Sequence, residues 1–185
     1  MAELTADLFI SLDGYAAGED VGPFFGYGGP ELEAWVGEVL RQPQVVVMGR
    51  ATYQAMAGIS TQATDEISMR MNELPKVVIS NSLTEPLDWP NTRLLRGDLA
   101  DGFAALKRES PAPLRTIGSM SLVSSMIRAG LVDLLRVMIF PIMLGADGRE
   151  PAFDNFPRAG FELASCTALD SRLVMLEYRP ASKSR

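Results

Sequence analysis

The sequence contains no histidine and a single cysteine, Cys166, and these two absences exclude much of catalytic chemistry. Without histidine there is no Ser-His-Asp or Cys-His catalysis, and no metal site with histidine ligands. One cysteine allows neither a disulfide within the chain nor a paired-cysteine metal motif. We therefore predict no metal site, and we expect any enzymatic chemistry to come from carboxylates or from a cofactor.

Long apolar runs and an excess of basic residues are also missing. No apolar run approaches the roughly 20 residues that a membrane helix needs. The opening "MAELTADLF" lacks the basic region and long apolar core of a signal peptide. The formal net charge is −6, whereas nucleic-acid-binding proteins usually carry a basic face. These features predict a cytoplasmic protein whose partner is a small molecule, with no nucleic acid and no membrane.

What is present is typical of one globular domain. The 185 residues are 47% hydrophobic and 22% charged, enough for a substantial core. We predict a single domain over residues 1–180 and a flexible tail over residues 181–185.

The pattern of apolar residues and turns predicts an α/β fold. Its first part alternates strands and helices, as parallel crossovers require, and its last part is an antiparallel hairpin turning at Asp170-Ser171. A glycine-rich mobile loop is expected over Ala16–Gly29. The predicted strands are Leu8–Leu12, Gln44–Met48, Lys76–Ser80, Thr92–Arg96, Leu114–Gly118, Leu134–Ile142, Phe161–Leu169 and Arg172–Tyr178. The predicted helices are Pro30–Arg41, Thr52–Ala57, Asp65–Asn72, Leu99–Arg108 and Ser121–Ala129.

Three predicted parallel strands end in similar small, polar turns. In open α/β sheets ligands bind outside the carboxyl ends of the strands, where helix N-termini attract anions. Each turn alone has a simpler explanation, such as a glycine that turns the chain or a serine that caps a helix. Their recurrence favours a shared ligand site. The turns are Gly49-Arg50-Ala51-Thr52, Ser80-Asn81-Ser82 and Gly118-Ser119-Met120-Ser121.

Arg50 follows a buried strand directly, in the sequence "VVVMGRATY". A helix N-terminus disfavours a cation, so an arginine in the first turn is locally unfavourable unless an anion lies nearby. A guanidinium binds a phosphate through two parallel hydrogen bonds, and Thr52 offers a hydroxyl to the same group. Two interpretations stay open on the chemistry alone: a bound phosphate, or a surface arginine paired with a carboxylate.

Five motifs together resemble the dihydrofolate-reductase-like superfamily. They are "LFISLDGY", "VVVMGRATY", "KVVISNSL", "GSMSLVSSMIRAGLVD" and "FPIMLGADGREPAF", and their order and spacing extend the resemblance from about Leu8 to Tyr178. The sequence is most similar to the RibD C-terminal domain family, the reductase half of a bifunctional riboflavin-biosynthesis deaminase–reductase, and to its stand-alone bacterial relatives. The deaminase half of those enzymes needs histidine and cysteine zinc ligands, which this chain lacks.

The resemblance implies a three-layer α/β/α fold that binds NADPH across the strand ends. Carried over by motif, Gly49, Arg50 and Thr52 hold adenosine-side phosphates. Ser80 and Asn81 lie near the adenosine and its 2′-phosphate, and Arg96 reaches the same region. The segment that wraps the pyrophosphate consists of Gly118, Ser119, Met120, Ser121 and Leu122. The family usually has a second glycine where this chain has Ser119, and it often has an acidic residue at the position of Leu134.

On the substrate side, Asp13 follows the first strand, beside the expected nicotinamide. It is a candidate for binding a polar substrate or relaying a proton, with a pKa raised by partial burial; an Asp-Gly turn is the simpler alternative. Phe24, Phe25 and Tyr27 are candidates for lining a flat heterocycle's pocket, or for holding a loop in place.

The resulting expectation is an NADPH-dependent reductase of a small heterocyclic or carbonyl-type substrate, such as a riboflavin precursor or a pterin. The alternative is a non-catalytic nucleotide- or ligand-binding protein on the same fold. A homodimer is also expected, because the hairpin Phe161–Tyr178 offers an apolar surface or a sheet edge.

Overall fold

The structure is a computed structural model that describes residues 1–181. Within this range the chain forms ten strands, five α-helices and two short 3₁₀ turns. The strands are β1 (Leu4–Ser11), β2 (Tyr15–Gly18), β3 (Val45–Gly49), β4 (Lys76–Ile79), β5 (Thr92–Leu95), β6 (Leu114–Thr116), β7 (Leu134–Phe140), β8 (Gly148–Pro151), β9 (Phe161–Leu169) and β10 (Leu173–Pro180). The helices are α1 (Pro30–Arg41), α2 (Arg50–Ser60), α3 (Glu66–Glu73), α4 (Leu99–Glu109) and α5 (Met120–Arg128).

Eight of the described strands form one sheet in the order β5-β4-β3-β6-β1-β7-β10-β9. The first six run parallel, and β10 and β9 are added antiparallel to β7 and to each other. This is the mostly parallel sheet with an antiparallel hairpin that the sequence predicts. The hairpin turns at Asp170 and Ser171, which both have positive φ, at 53° and 54°.

Helices cover both faces of the sheet and make a three-layer α/β/α fold. One core joins α4 and α5 to the sheet through Leu8, Val47, Phe103 and Val123. The other joins α1, α2 and α3 to the opposite face, with Leu32, Tyr53 and Met71 among its buried residues. Every side chain from Val45 to Met48 is buried, because β3 lies between these two layers.

Helix α1 spans the predicted residues, but a side chain far along the chain caps it. The N-cap residue is Gly29, which has no side chain to offer. The carboxylate of Asp170 instead accepts hydrogen bonds from the N–H of Glu31 at 2.9 Å and of Leu32 at 3.1 Å. A Cβ at Gly29 would collide with that carboxylate, so the glycine makes room for the cap. The contact fixes α1 against the turn between β9 and β10.

The first strand begins four residues earlier than predicted, at Leu4. The polar residues Thr5 and Asp7 interrupt the apolar pattern there, which hid the strand's first half. Asp7 is nevertheless buried, because Arg115 and Arg136 neutralise its carboxylate.

The expected mobile loop over Ala16–Gly29 is only partly a loop. Its start belongs to β2, which pairs antiparallel with β8 in a separate two-stranded sheet. Residues Pro23–Gly26 form a 3₁₀ turn. Neither β2 nor β8 has an alternating apolar pattern, and their pairing joins segments about 130 residues apart. We call this two-stranded sheet the flap.

The predicted tail over residues 181–185 lies outside the described residues except for Ala181. Its N–H donates to the carbonyl of Gly160 at 2.9 Å, next to the end of β10. Within residues 1–181, the helices are too short and too polar to span a membrane.

Candidate functional site

A cleft of about 660 Å³ runs along the carboxyl ends of the parallel strands. The turns after β3, β4 and β6 all open into it, so the structure brings together the three turns that the sequence singled out. The main lining residues are Gly49, Arg50, Thr52, Ser80, Asn81, Gly97, Ser119, Met120, Ser121, Leu122, Ser125 and Glu150. All the predicted cofactor-binding residues except Arg96 and Gly118 therefore line one cavity.

Arg50 is exposed on the cleft wall as the first residue of α2. No carboxylate forms an ion pair with it within the part of the chain that the structure describes. The N-cap residue, Gly49, leaves the first N–H groups of α2 without a side-chain cap. Of the two interpretations left open, the surface ion pair thus lacks its partner, and a positive side chain stands beside uncapped amides.

Gly118 and Ser119 form the turn after β6, next to the turn that carries Arg50. Both have left-handed backbone conformations, with φ of 56° and 63°. A Cβ at Gly118 would lie 3.1 Å from Thr52 Oγ1, which explains why this position, behind the cleft lining, takes glycine. Ser119 is the N-cap of α5, but its side chain makes no capping hydrogen bond to that helix. Ser121 lies inside α5, so it does not cap the helix either.

The hydroxyl of Ser119 joins two of the strand-end turns. Its Oγ accepts a hydrogen bond from the N–H of Gly49 at 2.9 Å and lies 2.6 Å from Thr52 Oγ1. One hydroxyl donates to the other, so one of the two hydroxyl protons stays free for a ligand. The serine in place of the family's usual glycine therefore crosslinks the turns after β3 and β6.

The turns after β4 and β5 are also joined to each other. Asn81 Oδ1 accepts from the N–H of Gly97 at 2.8 Å. Ser80 Oγ accepts from the N–H groups of Ser82 and Leu83, each at 3.2 Å. Arg96 donates to the carbonyl of Leu83 and so supports this loop from behind the cleft lining. These contacts give the far end of the cleft a defined polar floor.

Asp13 does not line the cleft; it anchors the flap. Its carboxylate accepts from the Ser11 hydroxyl at 2.6 Å and from the N–H of Gly145 at 2.7 Å. It also accepts from the N–H of Leu144, at 3.0 Å to Oδ2. Ser11 in turn accepts from the N–H of Tyr15 at 2.9 Å. This chain of contacts ties the end of β1 to the segment that leads into β8.

The expectation that burial raises the pKa of Asp13 is wrong. The hydrogen bond from Ser11 and those from the N–H groups of Gly145 and Leu144 stabilise the carboxylate and lower its pKa to about 2. Desolvation acts in the opposite direction but is outweighed. Asp13 is therefore ionised at neutral pH and holds no proton to donate.

The predicted substrate-binding aromatics form a cluster away from the cleft lining. The rings of Phe24, Phe25 and Tyr27 pack around Phe140, with centroids 6.3, 5.1 and 6.5 Å from its ring. Phe24 and Phe25 have positive φ, at 53° and 55°, a conformation unusual for bulky residues. The cluster lies on the face of the sheet that α1, α2 and α3 cover.

A row of charges crosses the sheet beneath this cluster. Asp7 pairs with Arg115 and, at 3.2 Å, with Arg136, which pairs in turn with Glu177 at 2.9 Å. Both guanidinium groups lie 5.3 Å from the ring of Trp35 on α1. Trp35 is half-buried and packs against these two guanidinium groups.

Sequence analysis missed Glu150 on β8, which with Arg50 supplies the charge that lines the cleft. The "GADGREP" segment has no apolar pattern, and nothing in it indicates a fold back over distant strand ends. The cleft is otherwise lined by small, polar and aliphatic residues. A long polar groove with an arginine and two uncapped helix N-termini suits an anionic, elongated ligand such as a dinucleotide.

The sequence matches the RibD C-terminal domain family over residues 2–175. The chain belongs to this family. No curated protein matches the sequence at a significant level.

Solved structures with the same fold span nearly the whole chain. A putative riboflavin biosynthesis protein from Shewanella sp. PV-4 is 24% identical with a TM-score of 0.72, covering 98% of this chain and 100% of that one. Dihydrofolate reductase from Enterococcus faecalis, complexed with NADP(H), is 14% identical with a TM-score of 0.65, covering 97% of each chain. RibD from Acinetobacter baumannii is 17% identical with a TM-score of 0.67, covering 98% of this chain and 58% of that one. These similarities confirm the dihydrofolate-reductase-like fold.

Proposed function

We propose that this protein is an NADPH-dependent reductase that transfers a hydride to a small heterocyclic or carbonyl-type substrate. The observation that carries the proposal is the convergence of the turns after β3, β4 and β6 on one cleft, with Arg50 exposed in it. Membership of the RibD C-terminal domain family supports the same activity.

The residues of the cleft fit the cofactor. Arg50 and the uncapped N–H groups of α2 bind a phosphate, and the N-terminus of α5 binds the pyrophosphate. The free hydroxyl proton of the Thr52–Ser119 pair donates to the same groups. When bound, NADPH supplies the hydride, and the chain's task is to hold and orient it.

The far end of the cleft favours NADPH over NADH. Ser80 and Asn81 line this end, and neither is the acidic residue that NAD sites use for the adenosine ribose. Arg50 supplies positive charge to the cleft, and Arg96 supports the loop after β4 through its hydrogen bond to the carbonyl of Leu83.

Proton delivery is assigned to solvent, because Asp13 is ionised at neutral pH. Asp13 is instead a positioning residue: it holds Leu144 and Gly145, and with them the flap. The substrate class is a riboflavin precursor or a pterin-like ring, for which Phe24, Phe25 and Tyr27 supply stacking surface after rearrangement of their loop.

The test is oxidation of NADPH in the presence of a panel of pterins, ribosylamino-pyrimidines and quinoid compounds. Turnover with one of these classes supports a reductase. Binding of NADPH without oxidation by any of them favours the alternative, a non-catalytic nucleotide-binding protein.

We also propose a cytoplasmic location and a homodimer formed through the exposed edge of β9.

A further inference from the structure

The flap brings a carboxylate to the end of the cleft opposite Ser80 and Asn81. The sheet order places β5 and β4 at one side of the cleft and β1 at the other, beyond β3 and β6. The flap is attached at the end of β1, where the N–H of Ala152 donates to the carbonyl of Gly14 at 2.9 Å. Glu150 therefore enters the cleft from the β1 side, opposite the proposed adenosine end.

Arg149 and Glu150 are neighbours on β8 but make different contacts, and the register between β8 and β2 shifts at this point. Arg149 pairs with Glu19 of the loop that follows β2, and its guanidinium donates to the carbonyl of Ala146 at 2.9 Å. Glu150 faces the cleft instead, and no cation pairs with it within residues 1–181.

A carboxylate is unexpected in a phosphate-binding cleft, because it repels phosphate groups. The groups of a dinucleotide that a carboxylate binds well are ribose hydroxyls, which donate two neighbouring hydrogen bonds. With the adenosine at the Ser80–Asn81 end, the ribose that reaches the β1 side is the one attached to the nicotinamide.

We propose that Glu150 binds the vicinal hydroxyls of the nicotinamide ribose and thereby fixes the position of the reactive ring. This inference rests on the proposed function and adds a residue to it. Arg50 and Glu150 then divide the recognition of one ligand: the arginine binds phosphate and the glutamate binds the sugar next to the nicotinamide. The flap, through its anchor at Asp13, sets the position of the glutamate.

The experiment compares calorimetric titrations of two probes. NADPH contains the nicotinamide ribose, whereas adenosine 2′,5′-bisphosphate contains only the adenosine half. Each probe is titrated into the wild type, Glu150→Gln, Glu150→Asp and Glu33→Gln. The last variant is a matched control, because Glu33 is exposed on α1, on the other face of the sheet.

We expect Glu150→Gln to weaken NADPH binding about 10-fold, as the loss of a charged hydrogen bond does, and to leave the bisphosphate unchanged. Glu150→Asp weakens NADPH binding too, because the shorter side chain withdraws the carboxylate while keeping its charge. Glu33→Gln changes neither affinity.

Two results overturn the inference while leaving the proposed function intact. One is equal NADPH affinity in the wild type and Glu150→Gln. The other is tighter binding of both probes by Glu150→Gln, which would show that Glu150 only repels phosphate. A wild type that binds neither probe overturns the proposed function and the inference together.

Discussion

The hydroxyl oxygens of Thr52 and Ser119 lie 2.6 Å apart and join two turns that are 67 residues apart in the chain. Ser119 also accepts from the N–H of Gly49, although its own backbone is left-handed, with φ of 63°. The side chain thus stabilises the cleft while the backbone conformation costs about 1–2 kcal/mol relative to glycine.

Three variants separate these two effects. Ser119→Ala keeps the backbone cost, loses both contacts and leaves the N–H of Gly49 without its acceptor, so we expect a loss of about 1–3 kcal/mol in the free energy of unfolding. Ser119→Gly loses the same contacts but relieves the backbone, so it is less destabilised than Ser119→Ala. Thr52→Val loses one contact and is destabilised less than Ser119→Ala. Urea unfolding measures all three; equal stability of Ser119→Ala and wild type contradicts the crosslink.

We expect Asp13 to make the free energy of unfolding depend on pH in the acidic range. Its pKa of about 2 in the folded protein is below its ordinary value of 3.8, so the unfolded chain binds the proton more tightly. The stabilisation by Asp13 is fully present above about pH 4 and is lost as the pH falls toward 2. We expect Asp13→Asn to be less stable than wild type at pH 7, because an amide nitrogen cannot accept the hydrogen bonds of the carboxylate.

The stability difference between Asp13→Asn and wild type should narrow between pH 4 and pH 2, as followed by thermal unfolding. A difference that stays constant over that range contradicts the lowered pKa. The pH dependence of turnover gives a second check. If the turnover of the wild type changes with a pKa near neutrality and Asp13→Asn abolishes that change, Asp13 is the proton donor after all.

We expect removal of the buried carboxylate of Asp7 to cost more stability than removal of an exposed one. Its side chain is 3% exposed and neutralises two guanidinium groups. Asp7→Asn leaves Arg115 and Arg136 without that charge, and breaking a buried pair typically costs about 3–5 kcal/mol. Glu3→Gln is the comparison, because Glu3 and Arg179 are about half-exposed and such pairs contribute roughly 0–1 kcal/mol. Similar losses in the two variants, measured by urea unfolding, would show that the charge row is not a stabilising feature.

The proposed homodimer is tested at the edge strand β9. Most of its side chains are exposed, among them Leu163 at 57%, and one side of the strand has no neighbour within the described sheet. We expect light scattering at tens of micromolar to give the mass of a dimer. Leu163→Lys should shift the protein toward monomer, because a charge at a sheet edge disfavours edge pairing. A monomer mass for the wild type rules the dimer out.

The sequence was informative where local patterns decide the structure. The helix Pro30–Arg41, the strand-end turns and the Asp170-Ser171 hairpin turn follow from apolar spacing and from proline, glycine, aspartate and serine at turns, which act over a few residues. The family motifs likewise located nearly all of the cleft lining.

What the sequence did not reveal depends on contacts between distant segments. Asp7 is buried only because Arg115 and Arg136 meet it across the sheet, and Glu150 reaches the cleft only because β8 pairs with β2. The pKa of Asp13 depends on the hydroxyl of Ser11 and also on N–H groups 131 and 132 residues away along the chain. The spacing of apolar and turn residues within a segment gives no information on contacts between distant segments.

Calorimetric titration of NADPH and NADH into wild type and Arg50→Ala shows whether the cleft binds NADPH with Arg50 at a phosphate. We expect the wild type to bind NADPH more tightly than NADH. We expect Arg50→Ala to lose about 10-fold or more in NADPH affinity, as for the loss of a charge-assisted hydrogen bond, and to lose less for NADH. Arg172→Ala, an exposed change in the β9–β10 turn, should match the wild type. A wild type that binds neither nucleotide, or an Arg50→Ala variant that binds NADPH as the wild type does, shows that Arg50 does not hold a phosphate of NADPH in this cleft.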